Sequence, residues 1–498
     1  MNQLHQLRFF DLYEKNARLL NEKTAILWNQ QKTSFAQLYD QTQRLAAGLS
    51  QLAAGTRVAV LCRNHPVFFH LFGAASALNL TLVLINRRLS DSEIRHIAED
   101  TTPQIIICDS DMASRASLLV SQCPFLDQYL VVDGPDETLS PWYRNPADFT
   151  PVACRNTDPF LIIHTAAVQG KPRGAVLSQE NIMLANLQLI HHYRMGPSSC
   201  VADILPLFHI MGVNLALAVI QAGGKNAILE KFDPIDTLTL VQDLKVTHLG
   251  SFPPILTHLL DAIDIGTYDL KSLEIAAGLD APDTVTRWES TTGTTFWTMY
   301  GQTETSGLIT FSPYFERAGS AGAVSPLADI RIADDFDKFL PAGETGEILV
   351  RGPLVFQGYW NAPELNAHTF RNGWHHTGDL GMIDSDGFLF FKGRKAEKEL
   401  IKPGGENVFP AEVEQAIMQH DAVKEVCVFG VPDPKFGEGI KAVCSLHPDK
   451  TLTADELIRF TGSLIAGYKK PRYVAFIPDL PKTGAGTIDR EKIKHQFS

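Results

Sequence analysis

The chain has 498 residues, 45% of them hydrophobic, so it can bury several cores, and about three structural units are expected. Its 44 Lys and Arg against 56 Asp and Glu give a net charge of -12, which favours solubility and gives no global electrostatic reason to bind nucleic acid or an anionic membrane. The seven cysteines are scattered and include no CxxC pair, which argues against a disulfide framework or a zinc ribbon and favours reduced thiols.

The N-terminal residues 1–13 lack the apolar core and the small-residue cleavage site of a secretory signal. The longest apolar stretches, residues 71–85 and 213–222, are interrupted by polar residues such as Asn79 or Asn214 and are shorter than a membrane span. We therefore expect a cytoplasmic protein with no integral membrane segment and no nucleic-acid partner. A homodimer stays open.

Short apolar runs alternate with helix-like segments in the first part of the chain. The runs at residues 57–61, 82–85 and 104–108 are typical of layered α/β units around a largely buried sheet. Between the second and third runs, Ser90 and Glu93 have the spacing of a capping box that opens a helix.

The predicted pattern of secondary structure changes twice towards the C-terminus. Residues 319–359 contain short strands separated by Gly and Pro, which predicts a small antiparallel sheet or barrel. A charged patch at residues 392–402 then precedes a new α+β pattern, so we place a domain boundary near residues 393–398. The α+β pattern has a helix at 410–420, strands at 423–429 and 441–446, and another helix capped by Thr453.

The expected fold class is α/β. A large N-terminal domain combines two sheet–helix layered units with a small antiparallel β-barrel-like unit, and a small α+β domain follows it.

A strand, loop and helix pattern at residues 160–181 is a candidate phosphate-binding site. Small residues in its loop would let backbone N–H groups approach phosphate oxygens, and Lys171 and Arg173 would add charge-assisted hydrogen bonds. The loop is not a Gly-x4-Gly-Lys-Ser/Thr loop. A basic, glycine-containing hairpin without a ligand is the alternative interpretation.

Six short motifs follow one another in a fixed order. They are the loop 164–174, Tyr300-Gly301-Gln302-Thr303-Glu304, Thr377-Gly378-Asp379-Leu380, Gly393-Arg394, Gly404-Gly405-Glu406-Asn407 and Leu480-Pro481-Lys482-Thr483. In this order they resemble the adenylate-forming superfamily of acyl-CoA synthetases, luciferases and peptide-synthetase adenylation domains, over roughly residues 57–490. The resemblance implies an adenylation (AMP-binding) domain at residues 1–394, a mobile C-terminal domain at 395–498, and ATP, Mg²⁺ and CoA as ligands.

The resemblance also assigns roles to residues. Glu304 matches the family's metal-binding glutamate, Tyr300 is expected to stack on adenine, and the Asp379 carboxylate is expected to accept hydrogen bonds from the ribose diol. His209 matches an aromatic residue or histidine beside the acid substrate. The other nucleotide-binding candidates are Thr165, Gly170, Lys171, Gly174, Gly278, Asp280, Gly301, Thr303 and Arg394, and the catalytic candidates are Glu304, Thr165, Arg173 and His209.

The second half-reaction requires a different active face, which relatives obtain by rotating the small domain. Lys398 matches the hinge position, although any residue from 396 to 399 fits, and Gly404, Gly405 and Glu406 match the loop that lines the pantetheine tunnel. A metal site at His191-His192 or His375-His376 is not expected, because no carboxylate or Cys completes a ligand set near them in the sequence.

Two departures from the family pattern concern the phosphate site. The loop carries Ala, Ala, Val and Gln at residues 166–169, where relatives have Ser or Thr hydroxyls. Thr487 stands where the last family motif has a lysine that bridges the acid and the phosphate. Losing a preorganised transition-state donor costs about 10²–10³ in rate, so adenylation is expected to be slow unless another cation substitutes. Lys171, Arg173 and Lys482 are the candidates, and Arg173 ranks first because it lies in the phosphate loop and always carries its charge.

The sequence therefore predicts an ATP-dependent acid:CoA ligase for a fatty or aromatic acid. Two alternatives stay open. The acyl group could pass to a carrier protein or another nucleophile, or the chain could be a nucleotide-binding homologue with weakened catalysis.

Overall fold

The computed structural model describes residues 7–165, 172–395, 400–434, 436–483 and 488–498. Two compact units divide the chain. The large unit comprises the described residues of 1–87, 98–164 and 174–392, and the small unit those of 88–97, 165–173 and 393–498. The small unit therefore includes two earlier segments that a single cut in the sequence leaves out, and the division at 394/395 stays a prediction.

The helices begin and end as follows. They are α1 (Phe9–Leu20), α2 (Phe35–Leu49), α3 (Val67–Leu78), α4 (Asp91–Thr101), α5 (Ala113–Gln122), α6 (Gln179–His192), α7 (Ile210–Gln221), α8 (Pro234–Leu244), α9 (Ile255–Ile265), α10 (Pro282–Thr292), α11 (Pro363–Thr369), α12 (Pro410–Ile417), α13 (Ala454–Leu464) and α14 (Arg490–Phe497).

The strands are mostly short. They are β1 (Thr24–Trp28), β2 (Gln31–Ser34), β3 (Arg57–Leu61), β4 (Thr81–Leu84), β5 (Ile105–Cys108), β6 (Gln128–Val131), β7 (Pro159–Thr165), β8 (Arg173–Ser178), β9 (Cys200–Asp203), β10 (Lys225–Ile228), β11 (His248–Ser251), β12 (Ile275–Gly278), β13 (Thr295–Gln302), β14 (Gly307–Pro313), β15 (Ala323–Val324), β16 (Asp329–Ala333), β17 (Gly346–Arg351), β18 (Gly358–Tyr359), β19 (His375–Ile383), β20 (Leu389–Arg394), β21 (Val423–Asp433), β22 (Gly437–Leu446) and β23 (Tyr473–Phe476).

Side-chain caps fix several helix starts. The hydroxyl of Ser178 accepts a hydrogen bond from the backbone N–H of Asn181 at 3.1 Å, and Thr453 caps α13 in the same way. The predicted capping box is confirmed, since the Ser90 N–H donates to Glu93 Oε2 at 2.7 Å. These bonds satisfy N–H groups that a helix cannot pair internally.

Helix α12 ends at Ile417 rather than at residue 420, where the sequence pattern placed its end. The N–H groups of Gln419 and His420 donate three residues back, to the carbonyls of Ala416 and Ile417. Such bonds tighten the last turn and terminate the α-helix.

Two mixed sheets form the layered part of the large unit. Among the described residues, one sheet has the order β15-β14-β13-β12-β11-β9-β10-β1-β2 and the other the order β18-β8-β7-β4-β3-β5-β6. In the first sheet, neighbouring strands are parallel along the run β13-β12-β11-β9-β10. In the second sheet, they are parallel along the run β7-β4-β3-β5-β6, and most residues of these strands are buried. The prediction of α/β layers around buried sheets is confirmed.

A third sheet has the order β16-β17-β19-β20, with antiparallel pairing of β17 to both β16 and β19. It confirms the predicted antiparallel element between residues 319 and 359, which extends further along the chain than the sequence pattern indicated. In the small unit, β21 and β22 form a long antiparallel pair, and β23 runs parallel to β22. No helix in the described part of the chain is long and apolar enough to cross a membrane.

Candidate functional site

The turn after β13 carries Glu304. In this turn the Thr305 hydroxyl accepts a hydrogen bond from the N–H of Gln302 at 2.8 Å and donates one to the Gly307 carbonyl at 2.8 Å. The two bonds close the turn between β13 and β14. Gly301 has no room for a side chain, because a Cβ there would lie 1.9 Å from the Gly307 carbonyl oxygen. This close approach explains a glycine at the end of the strand.

Glu304 is held by groups far away in the sequence. Its Oε1 accepts a hydrogen bond from the Tyr359 hydroxyl at 2.8 Å, and its backbone carbonyl accepts from the N–H of Phe356 at 2.9 Å. Strand β18 sets the position of Tyr359, which pairs with Ala175 of β8. Sequence reasoning missed Tyr359, since nothing in a 55-residue separation indicates the contact.

The donor chemistry at Glu304 fits a magnesium ion. Mg²⁺ in nucleotide sites is bound by one or two carboxylates together with substrate phosphates and waters. Glu304 is 9% exposed, and the Tyr359 hydroxyl that donates to its Oε1 is neutral and leaves the carboxylate charge available to a cation. Thr303, predicted beside it, forms part of the same turn through its carbonyl, which accepts from the N–H of Ser306 at 2.9 Å.

Asp379 is hydrogen-bonded to the end of strand β13, next to the turn that carries Glu304. Its Oδ2 accepts from the Tyr300 hydroxyl at 2.8 Å and from Gln302 Nε2 at 2.6 Å. Asp379 is buried, and Tyr300 and Gln302 both donate to its carboxylate, a group that accepts hydrogen bonds. The structure therefore brings together Tyr300 and Asp379, which the sequence placed in separate motifs 79 residues apart.

The turn that presents Asp379 is anchored by Glu347, a residue that sequence reasoning missed. Glu347 Oε1 accepts from the Gly378 N–H at 2.9 Å, and its Oε2 lies 3.2 Å from His376 Nδ1 and 3.5 Å from Arg371 Nη2. Gly378 has φ +67°, a left-handed backbone conformation that favours glycine. A buried carboxylate on β17 thus fixes the backbone immediately before Asp379.

His376 also shows where the sequence argument about metals was incomplete. Asp337, Glu347 and His376 each place one potential ligand atom within 4.8 Å of the others, so carboxylates do accompany this histidine. Arg371 already pairs with both acids, at 3.0 Å from Asp337 and 3.5 Å from Glu347. Its guanidinium holds the pKa of Asp337 below the usual range and supplies the positive charge that a metal would bring.

Gly278 ends strand β12 in a close contact. A Cβ at Gly278 would lie 1.6 Å from the Ser251 carbonyl oxygen, so only glycine fits. Asp280 accepts from the N–H of Ala281 at 2.9 Å, and burial raises the pKa of Asp280. Pro282 then opens α10 at its first position, where a missing N–H has no cost.

His209 is the N-cap residue of α7, and its ring lies 4.8 Å from that of Phe208. The loop before it is fixed by buried Asn64, another residue that sequence reasoning missed. Asn64 Nδ2 donates to the carbonyls of Asp203 at 2.9 Å and Leu205 at 3.0 Å. Its Oδ1 accepts from the Leu207 N–H at 2.8 Å, so one amide side chain satisfies several backbone groups of the loop.

The candidate phosphate loop lies largely outside the described residues, and so do the predicted Gly170 and Lys171 within it. Of its flanks, Gly174 lies in the large unit. A Cβ at Gly174 would lie 2.7 Å from Ile162 Cγ2, and its carbonyl accepts from the Trp360 N–H at 2.7 Å. Thr165 ends β7 and Arg173 begins β8.

The small unit contains the predicted CoA loop. Gly404 and Gly405 have φ +60° and +84°, both in the left-handed region that favours glycine. Glu406 is buried, and its Oε1 accepts from Arg88 Nη1 at 2.6 Å. Arg394 ends β20, whereas the predicted hinge Lys398 lies outside the described residues.

Two further basic residues of the small unit are paired with acids. Lys482 Nζ lies 2.8 Å from Glu425 Oε1, and Thr487 lies outside the described residues. Lys469 is 2% exposed and bridges Glu93 and Glu412, the latter at 2.5 Å. Burial raises the pKa of Glu412 to about 7, and although burial opposes it, the Lys469 ammonium lowers the pKa of Glu93.

Comparison with known proteins identifies the family of this site. Residues 13–360 match the model of the AMP-binding enzyme family, and residues 412–487 match its AMP-binding enzyme C-terminal domain. The chain belongs to the AMP-binding enzyme family.

Curated relatives of this AMP-binding enzyme are acid–CoA ligases. The chain is 30% identical over 491 residues to a feruloyl-CoA synthase from Amycolatopsis sp, covering 97% of this chain and 98% of the relative. It is 30% identical over 495 residues to an indoleacetate–CoA ligase from Aromatoleum aromaticum, covering 97% and 96%. The crystal structure of o-succinylbenzoate CoA synthetase from Bacillus subtilis has a TM-score of 0.87 and 27% identity, covering 97% of this chain and 98% of that one.

Proposed function

We propose that this AMP-binding enzyme is an ATP-dependent, AMP-forming acid–CoA ligase that acts on a fatty or aromatic carboxylic acid. The observation that carries the proposal is the end of β13. Tyr300 and Gln302 donate to Asp379 there, and the adjoining turn presents Glu304 to Tyr359. The carboxylate proposed for the ribose is thus hydrogen-bonded to the same strand end that leads into the turn of the proposed metal ligand Glu304.

In the first half-reaction, a carboxylate oxygen of the acid attacks the α-phosphorus of ATP, and the bond to pyrophosphate breaks. The ring of Tyr300 stacks on adenine, and the ionised Asp379 accepts from the ribose hydroxyls. Glu304 holds Mg²⁺, which when bound screens the repulsion between the acid and the triphosphate. The backbone of Gly278 and Gly301 approaches the nucleotide closely because neither residue carries a Cβ.

In the second half-reaction, the CoA thiol attacks the acyl carbon, and AMP leaves. The loop Gly404-Gly405-Glu406 lies along the pantetheine in this proposal, with a hinge at Lys398. The Glu406 carboxylate pairs with the Arg88 guanidinium, and this pairing limits the repulsion that a bare carboxylate would exert on the CoA phosphates.

The acid is proposed to bind beside His209, since an apolar cluster lies along helix α7, which His209 caps. The cluster includes Met211, Leu215, Ala277, Met299 and Leu308, with Phe252 packed against it. An apolar environment of this kind suits an alkyl chain or an aromatic ring.

Arg173 is proposed to supply the positive charge of the family's last-motif lysine, whose position in this chain is occupied by Thr487. An arginine carries its charge at every physiological pH, so it can stabilise the anionic transition state. Arg173→Ala is expected to lower the rate of ATP–pyrophosphate exchange about 10²-fold. Arg18→Ala, at an exposed arginine of α1, is the matched control and should leave the exchange rate unchanged. A normal exchange rate in Arg173→Ala would remove this assignment.

One assay tests the whole proposal. ATP–pyrophosphate exchange is measured over a panel of fatty and aromatic acids, and AMP release is measured with and without CoA. Exchange is expected with at least one acid, with AMP release that requires CoA. Glu304→Gln is expected to abolish both, whereas Glu344→Gln, at an exposed turn, leaves both unchanged.

Each other outcome identifies an alternative. Exchange without CoA-dependent turnover indicates a carrier-protein or other acceptor. Nucleotide binding without exchange on any acid indicates a homologue with weakened catalysis.

A further inference from the structure

Helix α7 has an amide in an otherwise apolar sequence. Asn214 is fully buried, and its neighbours on the helix from Met211 to Ile220 are apolar apart from it. Its Nδ2 donates to the Ser306 carbonyl at 2.7 Å. Its Oδ1 is buried, and no partner for it occurs among the described residues. A buried amide whose oxygen lacks a partner costs stability relative to an apolar side chain of similar size.

A second amide repeats this arrangement. Gln188 on α6 is 4% exposed, and its Nε2 donates to the Leu308 carbonyl at 3.3 Å. Its Oε1, like the Oδ1 of Asn214, has no partner among the described residues. Two helices therefore each direct one amide N–H to a carbonyl of the segment that follows Glu304.

The segment that these amides hold has an unusual backbone. Ser306 and Gly307 have φ +55° and +105°, so two consecutive residues are left-handed. A Cβ at Gly307 would lie 2.2 Å from Asn214 Nδ2, which shows how closely the amide approaches the turn. Without the two donors, the Ser306 and Leu308 carbonyls would lose these bonds inside the protein.

We propose that Asn214, supported by Gln188, is a positioning residue that sets the Glu304 turn and thereby the affinity of the site for its divalent cation. The inference rests on the proposed function of Glu304 as the magnesium ligand. Because α7 begins immediately after His209, the residue proposed beside the acid, one helix links the acid site to the metal site.

The chain offers a matched control. Asn226 of β10 is also fully buried, and its Nδ2 donates to the Ala216 carbonyl on the same helix α7 at 3.2 Å. Its Oδ1 is likewise buried, with no partner among the described residues. It differs from Asn214 in its acceptor, which does not belong to the Glu304 segment.

The test measures cation binding directly. Mn²⁺ is titrated by electron paramagnetic resonance in the presence of α,β-methylene ATP, an analogue that cannot transfer AMP to an acid because its α–β bridge is not cleaved. Thermal midpoints are recorded in parallel. Asn214→Leu is expected to raise the Kd for Mn²⁺ about tenfold, and Asn226→Leu to change it less than twofold at a comparable loss of thermal midpoint. Gln188→Met keeps the side-chain volume and is expected to raise the Kd about threefold, so it serves if Asn214→Leu does not fold.

Two results would overturn the inference. If the Kd for Mn²⁺ in Asn214→Leu, or in Gln188→Met, equals the Kd in the control Asn226→Leu, the two amides have only a structural role. Glu304→Gln separates this failure from that of the proposed function. If Glu304→Gln weakens Mn²⁺ binding and the amide variants do not, only the positioning role is wrong; if Glu304→Gln has no effect, the metal assignment fails and this inference with it.

Discussion

The contact between Glu347 and the Asp379 turn gives the sharpest prediction for the large unit. Glu347→Gln keeps a carbonyl oxygen for the Gly378 N–H but places an NH₂ where Oε2 now faces His376 and Arg371. Arg371 keeps its two contacts with Asp337 at 3.0 and 3.1 Å, so its charge is not left uncompensated.

The magnitude follows from these contacts. A hydrogen bond to a charged group contributes about 1.5–3 kcal/mol, and the substitution weakens two contacts of marginal length, so a loss of about 2–3 kcal/mol is expected. An unfolding entropy of about 2.1 cal/mol/K per residue converts this loss into a fall of about 3 °C in the thermal midpoint of the large unit. A looser turn should also weaken ATP binding about tenfold, because Asp379 is no longer held towards the ribose.

Calorimetric titration with Mg·ATP and differential scanning calorimetry measure the two quantities. Glu344→Gln, at an exposed position, is the control and should change neither. An unchanged ATP affinity in Glu347→Gln, with or without a lower thermal midpoint, would refute the positioning argument and leave Glu347 a purely structural residue.

Three further predictions concern other contacts. Tyr359→Phe removes the hydroxyl that donates to Glu304, and it should weaken binding of Mn²⁺ with an ATP analogue about tenfold at an unchanged fold, as measured by magnetic resonance and circular dichroism. Burial lowers the pKa of His70 to about 3, so below about pH 6.5 the unfolded chain binds a proton that the folded chain does not. The contribution of His70 to the free energy of unfolding is therefore complete above pH 6.5 and falls by about 1.4 kcal/mol per pH unit towards pH 3. Thermal melts over this pH range should show a smaller loss of midpoint per pH unit in His70→Phe than in the exposed control His258→Gln. Lys469→Met leaves two buried carboxylates without their shared cation and should destabilise the small unit by about 3–5 kcal/mol in a thermal melt, whereas a loss below about 1 kcal/mol would show that the two acids are neutral without it.

The motifs around residues 300 and 379 were informative because each combines a backbone requirement with a chemical group. Gly301 and Gly378 are glycines for local reasons, a 1.9 Å approach and a φ of +67°, so they mark the site without reference to the rest of the fold. Tyr359 and Glu347 have no such local signal. Their contacts depend on the pairing of β18 with β8 and of β17 with β19, which involve residues far away in the chain.

The interpretation of His376 shows the same limit. Its distance in sequence from Asp337 and Glu347 gave no reason to expect carboxylates nearby, and the pairing within the third sheet brings them to it. Arg371, which lies in a separate turn, contacts both acids, so the cluster is an ion-pair network.

The amino-acid sequence by itself determined the alternation of strands and helices, the caps of α4 and α13, and the order of the family motifs, because periodicity, capping and glycine requirements act within a few residues. Tertiary structure alone decided which side chains support those motifs. Asn64, Gln188, Asn214, Glu347 and Tyr359 act on backbone or carboxylate groups that only chain folding brings within hydrogen-bond distance, and a short-range pattern carries no record of such a partner.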